Sequence, residues 1–327
     1  MSCVTCLLLV ASWSLCCSAQ GRAQATDTLL RQLTRVPLEL YLADSNLRIV
    51  NVYRPEAMAM LEVNQSTRSE VLDRLMREVY RPYASFWQGY LGDEAKFRDW
   101  AGASLFASDH PIHTRLGGLL DLRLDSLFTA SATWLVKATG HRPRGVWYIV
   151  FGPGWTDMGG FSDGTMVADF AGLEPDREVI EFKLPHELTH MVHGASAGQR
   201  NDPDSGTVLQ RIVSEGLASY ATYVYAAGRR TAAQSTGYTD AEWASALAHE
   251  QELATAARPY LRSRTRADLN RFASRGERLV NAGPPAVAYF LGFRIVQTYV
   301  AKHGASSWTD LIDLSAREAL SRSGYPL

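Results

Sequence analysis

A pair of histidines four residues apart is the feature of this sequence with the clearest chemical meaning. Residues 186–190 read His-Glu-Leu-Thr-His, which is the pattern HExxH. On a helix, positions i and i+4 lie one turn apart on the same face, so His186 and His190 can each direct a ring nitrogen at one metal ion. Glu187 then lies beside that ion, where its carboxylate can accept a proton from water. The spacing predicts a zinc site with a glutamate as general base.

A third ligand is predicted from the helix that follows. Glu215 lies between Ile212-Val213-Ser214 and Gly216-Leu217-Ala218, a mostly apolar run that indicates a buried helix. A buried carboxylate is costly unless it is paired or bound to a metal. We therefore predict that Glu215 completes a His₂Glu site for one zinc ion per chain, with the fourth position open for water.

Three further sequence features bear on the assignment of the zinc ligands. His193 projects onto a neighbouring face of the helix and is not expected to be a ligand. Residues 249–253, His-Glu-Gln-Glu-Leu, begin like the motif but have leucine in place of the second histidine, and are interpreted as a solvated helix face. Pro185 either begins the HExxH helix or kinks it one residue before the motif.

The elements that must position these residues are mostly helices. Residues 146–151 are a β-rich apolar run closed by Gly-Pro-Gly and predict a buried strand, and residues 165–170 predict a second strand at a sheet edge. Residues 38–63 are expected to hold a strand or two. A small sheet preceding the HExxH helix indicates an α+β, mostly helical fold. Helices are predicted at about 67–79, 112–138, 176–193, 207–227, 240–257, 285–303 and 307–321.

The N-terminal residues predict export. Residues 4–15 are apolar and uncharged, and residues 23–25 (Ala-Gln-Ala) form a cleavage pattern, so residues 1–25 are interpreted as a signal peptide. A lipoprotein anchor at Cys16 or Cys17 is the less favoured alternative. All four cysteines precede the cleavage pattern, so thiolate metal ligands are excluded from a mature chain. We expect a secreted or periplasmic protein with no transmembrane segment in the mature chain.

The amino-acid composition limits which kinds of protein and partner remain possible. The 327 residues are 46% hydrophobic and 20% charged, with a net charge of −1, which is typical of a folded protein and argues against a nucleic-acid partner. The mostly helical pattern of the preceding residues ends at Gly145, where a β-rich run begins. We predict a mostly helical N-terminal region, residues 26–144, packing on a catalytic domain, residues 145–327.

The residues that follow HExxH distinguish between the known classes of zinc peptidase. The metzincin pattern requires glycine and histidine where this chain has His193 and Ser196, so that class is excluded. The pentad His-Glu-Leu-Thr-His resembles that of thermolysin-like enzymes, and a glutamate ligand from a later helix resembles a gluzincin. Those enzymes have an aspartate where this chain has Ser219, which leaves Asp157, Asp163 and Asp169 as candidates to support the zinc ligands.

The chain more closely resembles the predicted, largely uncharacterised zinc-dependent protease family with HExxH and a downstream Glu-Gly-Leu-Ala segment. The resemblance covers roughly residues 112–327 and rests on residues 184–194, 214–220, 288–293 and 321–325. It implies a gluzincin fold and a hydrolytic role. Because the family carries Gly-Tyr or Ala-Tyr at the position of Ala288-Tyr289, it implies Tyr289 as the donor to the oxyanion, with Tyr220 as the alternative.

The function predicted from these features is an exported zinc-dependent metallopeptidase, with an endopeptidase favoured, acting on a peptide or protein substrate. Water activated by zinc attacks the peptide bond and Glu187 is the general base. The alternative is a non-catalytic module on a zincin scaffold that binds a peptide or a partner protein.

Overall fold

The computed structural model describes residues 24–42, 46–62, 66–161, 163–199 and 202–327. Residues 1–23 of the predicted signal peptide lie outside the described residues, and residues 24–35 form helix α1. Within the described ranges, no helix combines the length and the apolar character needed to cross a membrane.

The described part of the chain contains one five-stranded sheet in the order β1-β2-β3-β5-β4. Strands β2, β3 and β5 are parallel, and β1 and β4 pair antiparallel at the two edges. The sheet therefore combines strands from both of the regions that the sequence divides near residue 145. The strands are β1 (Glu39–Leu42), β2 (Leu47–Asn51), β3 (Gly145–Val150), β4 (Met158–Gly160) and β5 (Thr165–Asp169).

Helices cover both faces of the sheet. Trp147 of β3 packs edge-on against Phe128, with ring centroids 5.0 Å apart, and the next residue, Tyr148, stacks on Phe86 at 4.3 Å. Consecutive residues of a strand point to opposite faces, so these two contacts lie on opposite sides of β3. This is why the strand is apolar throughout rather than alternating.

Each predicted helical segment contains helix in the structure, and the α+β fold class is confirmed. Thr67 caps its helix in a capping box with Glu70, and Gly140 ends another in the left-handed conformation, at φ 74°. The helices after α1 are α2 (Tyr53–Leu61), α3 (Arg68–Leu75), α4 (Ala84–Tyr90), α5 (Glu94–Trp100), α6 (Ile112–Asp121), α7 (Leu124–Thr139), α8 (Arg177–Gln199), α9 (Val208–Ala226), α10 (Ala232–Ser235), α11 (Asp240–Ala248), α12 (Glu250–Ala257), α13 (Arg266–Ala273), α14 (Val287–His303) and α15 (Ala316–Ser323).

Three predicted helices are in fact interrupted. The helix expected at 112–138 is split into α6 and α7 at Arg123, which adopts the left-handed conformation at φ 52°. The helix at 240–257 breaks at His249 between α11 and α12. The segment at 307–321 begins with the 3₁₀ turn Ser307–Asp313 before α15. Hydrophobic spacing continues across each break, so periodicity alone does not mark it.

One further expectation is corrected, and one open alternative is decided. The strand at 165–170 is not an edge, because β5 pairs with β3 on one side and with β4 on the other. The edge strand is the three-residue β4, which is too short to give a period-2 signal. Pro185 lies inside α8 and does not begin it. The helix therefore accommodates a proline one residue before the HExxH motif.

Helices α9 and α14 cross in direct backbone contact. A Cβ added to Gly292 would lie 1.9 Å from the carbonyl oxygen of Ile212, and one added to Gly216 would lie 1.9 Å from the carbonyl carbon of Gly292. No other residue type fits at this crossing. The two glycines thereby hold the first turn of α14 beside the segment of α9 that carries Glu215.

Candidate metal centre

Three helices supply the residues that the sequence assigns to chemistry. Helix α8 carries His186, Glu187 and His190, α9 carries Glu215, and α14 carries Tyr289 in its first turn. Helices α8 and α9 pack against each other, and α9 packs against α14. A site built on packed helices holds its side chains more precisely than one built on loops.

The ligand atoms of the three predicted zinc ligands form a nearly equilateral triangle. His186 Nε2 lies 3.1 Å from His190 Nε2, and Glu215 Oε2 lies 3.3 Å from each of those nitrogens. In the described part of the chain, this is the one group of three or more such residues that can hold a metal ion.

The triangle has the dimensions of three corners of a zinc tetrahedron. With metal–ligand bonds of about 2.0–2.1 Å and tetrahedral angles, ligand atoms lie about 3.3 Å from one another. Two imidazoles and one carboxylate are also a donor set that suits zinc, and three protein ligands leave a fourth position open. The residues present therefore fit the predicted ion.

Glu215 is a buried carboxylate with polar partners at both of its oxygens. Its side chain is only 4% exposed, and Oε1 accepts a hydrogen bond from Arg211 Nη1 at 2.9 Å while Oε2 faces the histidines. Burial alone would raise the pKa of Glu215, but the charge of His190 and hydrogen bonds from both histidines hold it well below its usual range. The carboxylate is thus ionised, as a metal ligand must be.

His190 is oriented by Ser214, a residue that the sequence reasoning missed. His190 Nδ1 lies 2.9 Å from Ser214 Oγ. For Nε2 to bind a metal ion it must offer its lone pair, and the ring proton would then lie on Nδ1 and be donated to the hydroxyl. Arg211, which the sequence reasoning also missed, had an available signal, because it lies four residues before Glu215 on the same helix.

The aspartates named as candidate supports serve other contacts. Asp157 pairs with Lys183, and Asp163 accepts a hydrogen bond from the backbone of Thr165 at 2.9 Å. Asp169 accepts from the Tyr90 hydroxyl at 2.7 Å and from backbone N–H groups at the end of β3. These described contacts hold the sheet and its loops rather than the histidines.

Tyr289 lies at the cluster, in contrast to Tyr220. The Tyr289 ring stacks on His186 with centroids 6.0 Å apart and an interplanar angle of 17°. The charge of Glu215, followed by burial and the charge of Glu187, raises the pKa of Tyr289 well above its ordinary value, so the hydroxyl keeps its proton. Tyr220 instead packs against Tyr223 and Phe293 at 5.8 and 5.3 Å.

The structure also shows the environment of His193 and of the segment 249–253, which begins like the motif. His193 is buried on α8 and does not belong to the three-residue group. In the segment 249–253, Gln251 and Glu252 are exposed as predicted. Glu250 is only partly exposed, and it accepts hydrogen bonds from Arg294 Nε at 2.7 Å and from the Tyr325 hydroxyl at 2.8 Å.

Comparison with known proteins assigns the class. Residues 149–321, just over half of the chain, match the family described as "Predicted Zn-dependent protease (DUF2268)". The chain belongs to this family, and the matched range contains all three residues of the triangle as well as Tyr289. No curated protein and no solved structure matches the chain.

Proposed function

We propose that the chain is a zinc metallopeptidase of the gluzincin type that cleaves peptide bonds, with an endopeptidase favoured. The observation that carries the proposal is the triangle of His186 Nε2, His190 Nε2 and Glu215 Oε2, with sides of 3.1 to 3.3 Å. Membership of a family described as a zinc-dependent protease supports the same conclusion.

The residues of the site divide the work of hydrolysis. When bound, zinc supplies a Lewis acid that polarises the scissile carbonyl and acidifies water. Glu187 takes a proton from the attacking water as the new C–O bond forms, and delivers that proton to the amine nitrogen as the C–N bond breaks. Tyr289 donates a hydrogen bond to the carbonyl oxygen as negative charge develops on it.

Export is part of the proposal and rests on the sequence of residues 1–25 alone. A catalytic domain over residues 145–327, with residues 26–144 packed on it, is likewise a proposal. The pairing of β2 with β3 shows that these two regions share one sheet.

The proposal is tested with Glu187→Gln, which keeps the side-chain size and removes the base. Zinc-loaded wild type should hydrolyse members of an unbiased peptide library, and the variant should lose about 10²- to 10⁴-fold in kcat/KM, the usual contribution of a general base. Zinc content should be equal in the two proteins, since Glu187 is not one of the three ligands.

Two outcomes would count against the proposal. Equal hydrolysis by wild type and Glu187→Gln would exclude this residue as the base. Wild type that binds zinc and peptides but hydrolyses none would favour the alternative, a non-catalytic binding module on the same scaffold.

A further inference from the structure

Two arginines lie near the three candidate ligands, and neither is assigned a contact with the substrate in the proposed reaction. Arg211, on α9, donates from Nη1 to Glu215 Oε1 at 2.9 Å, while the other oxygen of that carboxylate faces the two histidines. Its guanidinium is thus one carboxylate away from the ligand position. The Arg211 side chain is nevertheless 46% exposed, so part of it is accessible to a substrate.

Arg275 approaches the cluster from the segment that follows α13. Its Cζ lies 5.6 Å from the centroid of the Tyr289 ring and 4.9 Å from that of Tyr238. The Tyr289 ring in turn lies 6.0 Å from the His186 ring. These distances place the Arg275 guanidinium within about 12 Å of the His186 ring.

Both guanidinium groups have donors to spare. Arg275 is exposed, and its described hydrogen bond uses Nη2, which donates to the carbonyl oxygen of Thr236 at 2.8 Å. The described hydrogen bond of Arg211 uses Nη1 alone. An arginine carries five N–H donors in a planar fork that matches a carboxylate in two-point contact.

The charge balance of the site favours an anion in the same place. The two carboxylates at the cluster, Glu187 and Glu215, are balanced by the two charges of a bound divalent cation. The two arginines then add two positive charges. Near Arg275, the carboxylate of Glu242 offsets one charge and Arg278 adds another, so the charge that remains is positive. A cleft lined by one sign of charge concentrates ligands of the opposite sign.

We propose that Arg211 and Arg275 form an anion-binding subsite that makes the enzyme prefer peptides carrying a carboxylate close to the scissile bond. An extended residue spans about 3.3–3.6 Å, so the distances correspond to a carboxylate within about three residues of that bond. An acidic side chain and a free C-terminal carboxylate have the same chemistry at this subsite. The inference rests on the proposed function, because it specifies the substrate of the same site.

The test measures binding separately from hydrolysis. Zinc-loaded Glu187→Gln protein is titrated, by calorimetry, with peptide pairs that differ only in Asp against Asn or Glu against Gln at one position, or in a free against an amidated C-terminus. The acidic member of at least one pair should bind about tenfold more tightly, as expected for a charge-assisted contact. The pair that shows the difference identifies the source of the carboxylate.

Variants then assign the preference to the subsite. Adding Arg275→Gln should bring the dissociation constant of the acidic peptide close to that of its amide counterpart, whereas Arg275→Lys should keep part of the difference. Arg77→Gln is the matched control, because Arg77 is an exposed arginine that pairs with its neighbour Glu78. Zinc content and thermal melting of each variant show that the fold and the metal site are intact.

Equal affinities within every pair, absence of peptide binding, or the same loss of preference in Arg77→Gln would overturn the inference. Hydrolysis by wild type decides the proposed function separately. If wild type cleaves acidic and neutral peptides equally well, the function stands and the subsite is wrong. If it cleaves none but Glu187→Gln binds acidic peptides preferentially, the subsite stands and the proposed hydrolysis is wrong.

Discussion

Each of the three side chains at the metal centre has a second contact that keeps its ligand atom in place. Ser214 holds His190 through Nδ1, and Arg211 holds Glu215 through Oε1, both at 2.9 Å. The ring of Tyr289 stacks on His186. Hydrogen bonds such as those with Ser214 and Arg211 orient the side chains of metal ligands, so the protein itself organises the candidate centre.

The proposed role of Tyr289 as the hydrogen-bond donor to the oxyanion can be tested by a single substitution. In Tyr289→Phe we expect kcat for peptide hydrolysis to fall by about 10²- to 10³-fold with little change in KM, the loss usual when one donor to a developing oxyanion is removed. Steady-state kinetics on a peptide cleaved by wild type would measure both constants.

Tyr220→Phe is the matched control, because Tyr220 packs against Tyr223 and Phe293 and not against the cluster. It should retain kcat within about twofold, the effect of losing a hydroxyl away from the reacting atoms. A larger loss in Tyr220→Phe than in Tyr289→Phe would show that the two roles are reversed.

At the scale of elements, the glycine crossing of α9 and α14 determines where Tyr289 lies relative to Glu215. In Gly292→Ala the new methyl group would meet the Ile212 carbonyl oxygen at 1.9 Å, so the helices must separate. We expect the free energy of unfolding to fall by about 1–3 kcal/mol, as in an overpacked core, and hydrolysis to fall with it. Urea unfolding followed by circular dichroism would measure the change.

Gly89→Ala provides the opposite case on α4, because nothing lies within 4 Å of the Cβ that it would add. Alanine is the better helix former, so this variant should be more stable than wild type by about 0.5–1 kcal/mol. Equal stability in Gly292→Ala and wild type would mean that the crossing is looser than the structure shows.

Helix ends could be predicted from the sequence where the residues that cause them lie close by in the chain. The capping box at Thr67 and the glycine at 140 mark helix ends because each satisfies backbone groups nearby. The breaks at Arg123 and His249 escape prediction, because the apolar spacing runs through them. The position of β5 inside the sheet was also missed, since it depends on a partner strand of three residues.

In the candidate site, too, local relations could be predicted from the sequence and contacts between distant residues could not. His186 and His190 are related by helix geometry alone, and the structure places them together as expected. Glu215 was reached by the cost of burying a carboxylate, and its contact with Arg211 adds a reason that the sequence reasoning did not use. Ser214 gave no pattern of its own, because a serine hydroxyl within a helix can equally bond to the backbone of the preceding turn.

At the scale of the whole molecule, a second buried carboxylate links the N-terminal helices to the sheet. Glu56 of α2 is fully buried, and its Oε2 accepts a hydrogen bond from the backbone N–H of Phe151 at 2.9 Å. In the described part of the chain its other oxygen has no hydrogen-bond partner. Burial, with a contribution from the charge of Asp169, raises the pKa of Glu56 well above its ordinary value.

This raised pKa makes stability depend on pH with a definite sign. The folded state keeps a proton on Glu56 at pH values where the unfolded chain, with a glutamate pKa of about 4.3, has lost it. The contribution of Glu56 to stability is therefore complete below about pH 4.3 and is lost as the pH rises towards the raised value.

Glu56→Gln removes that titration while keeping an acceptor for Phe151. We expect the variant to gain on wild type by up to about 1.4 kcal/mol for each pH unit above about 4.3 until the raised pKa is reached, and to show no such gain near pH 4. The difference between the two proteins in urea unfolding, measured from pH 4 to 8, isolates Glu56 from other titrating groups. A difference that is constant across this range would contradict the assignment.

The central claim, that His186, His190 and Glu215 hold one zinc ion, is tested most directly by elemental analysis of residues 26–327 after loosely bound metal is removed by gentle chelation. Wild type should retain about one zinc per chain, and Glu215→Ala should lose it while remaining folded by circular dichroism. Folded wild type without zinc, or Glu215→Ala that retains as much zinc as wild type, would contradict the claim.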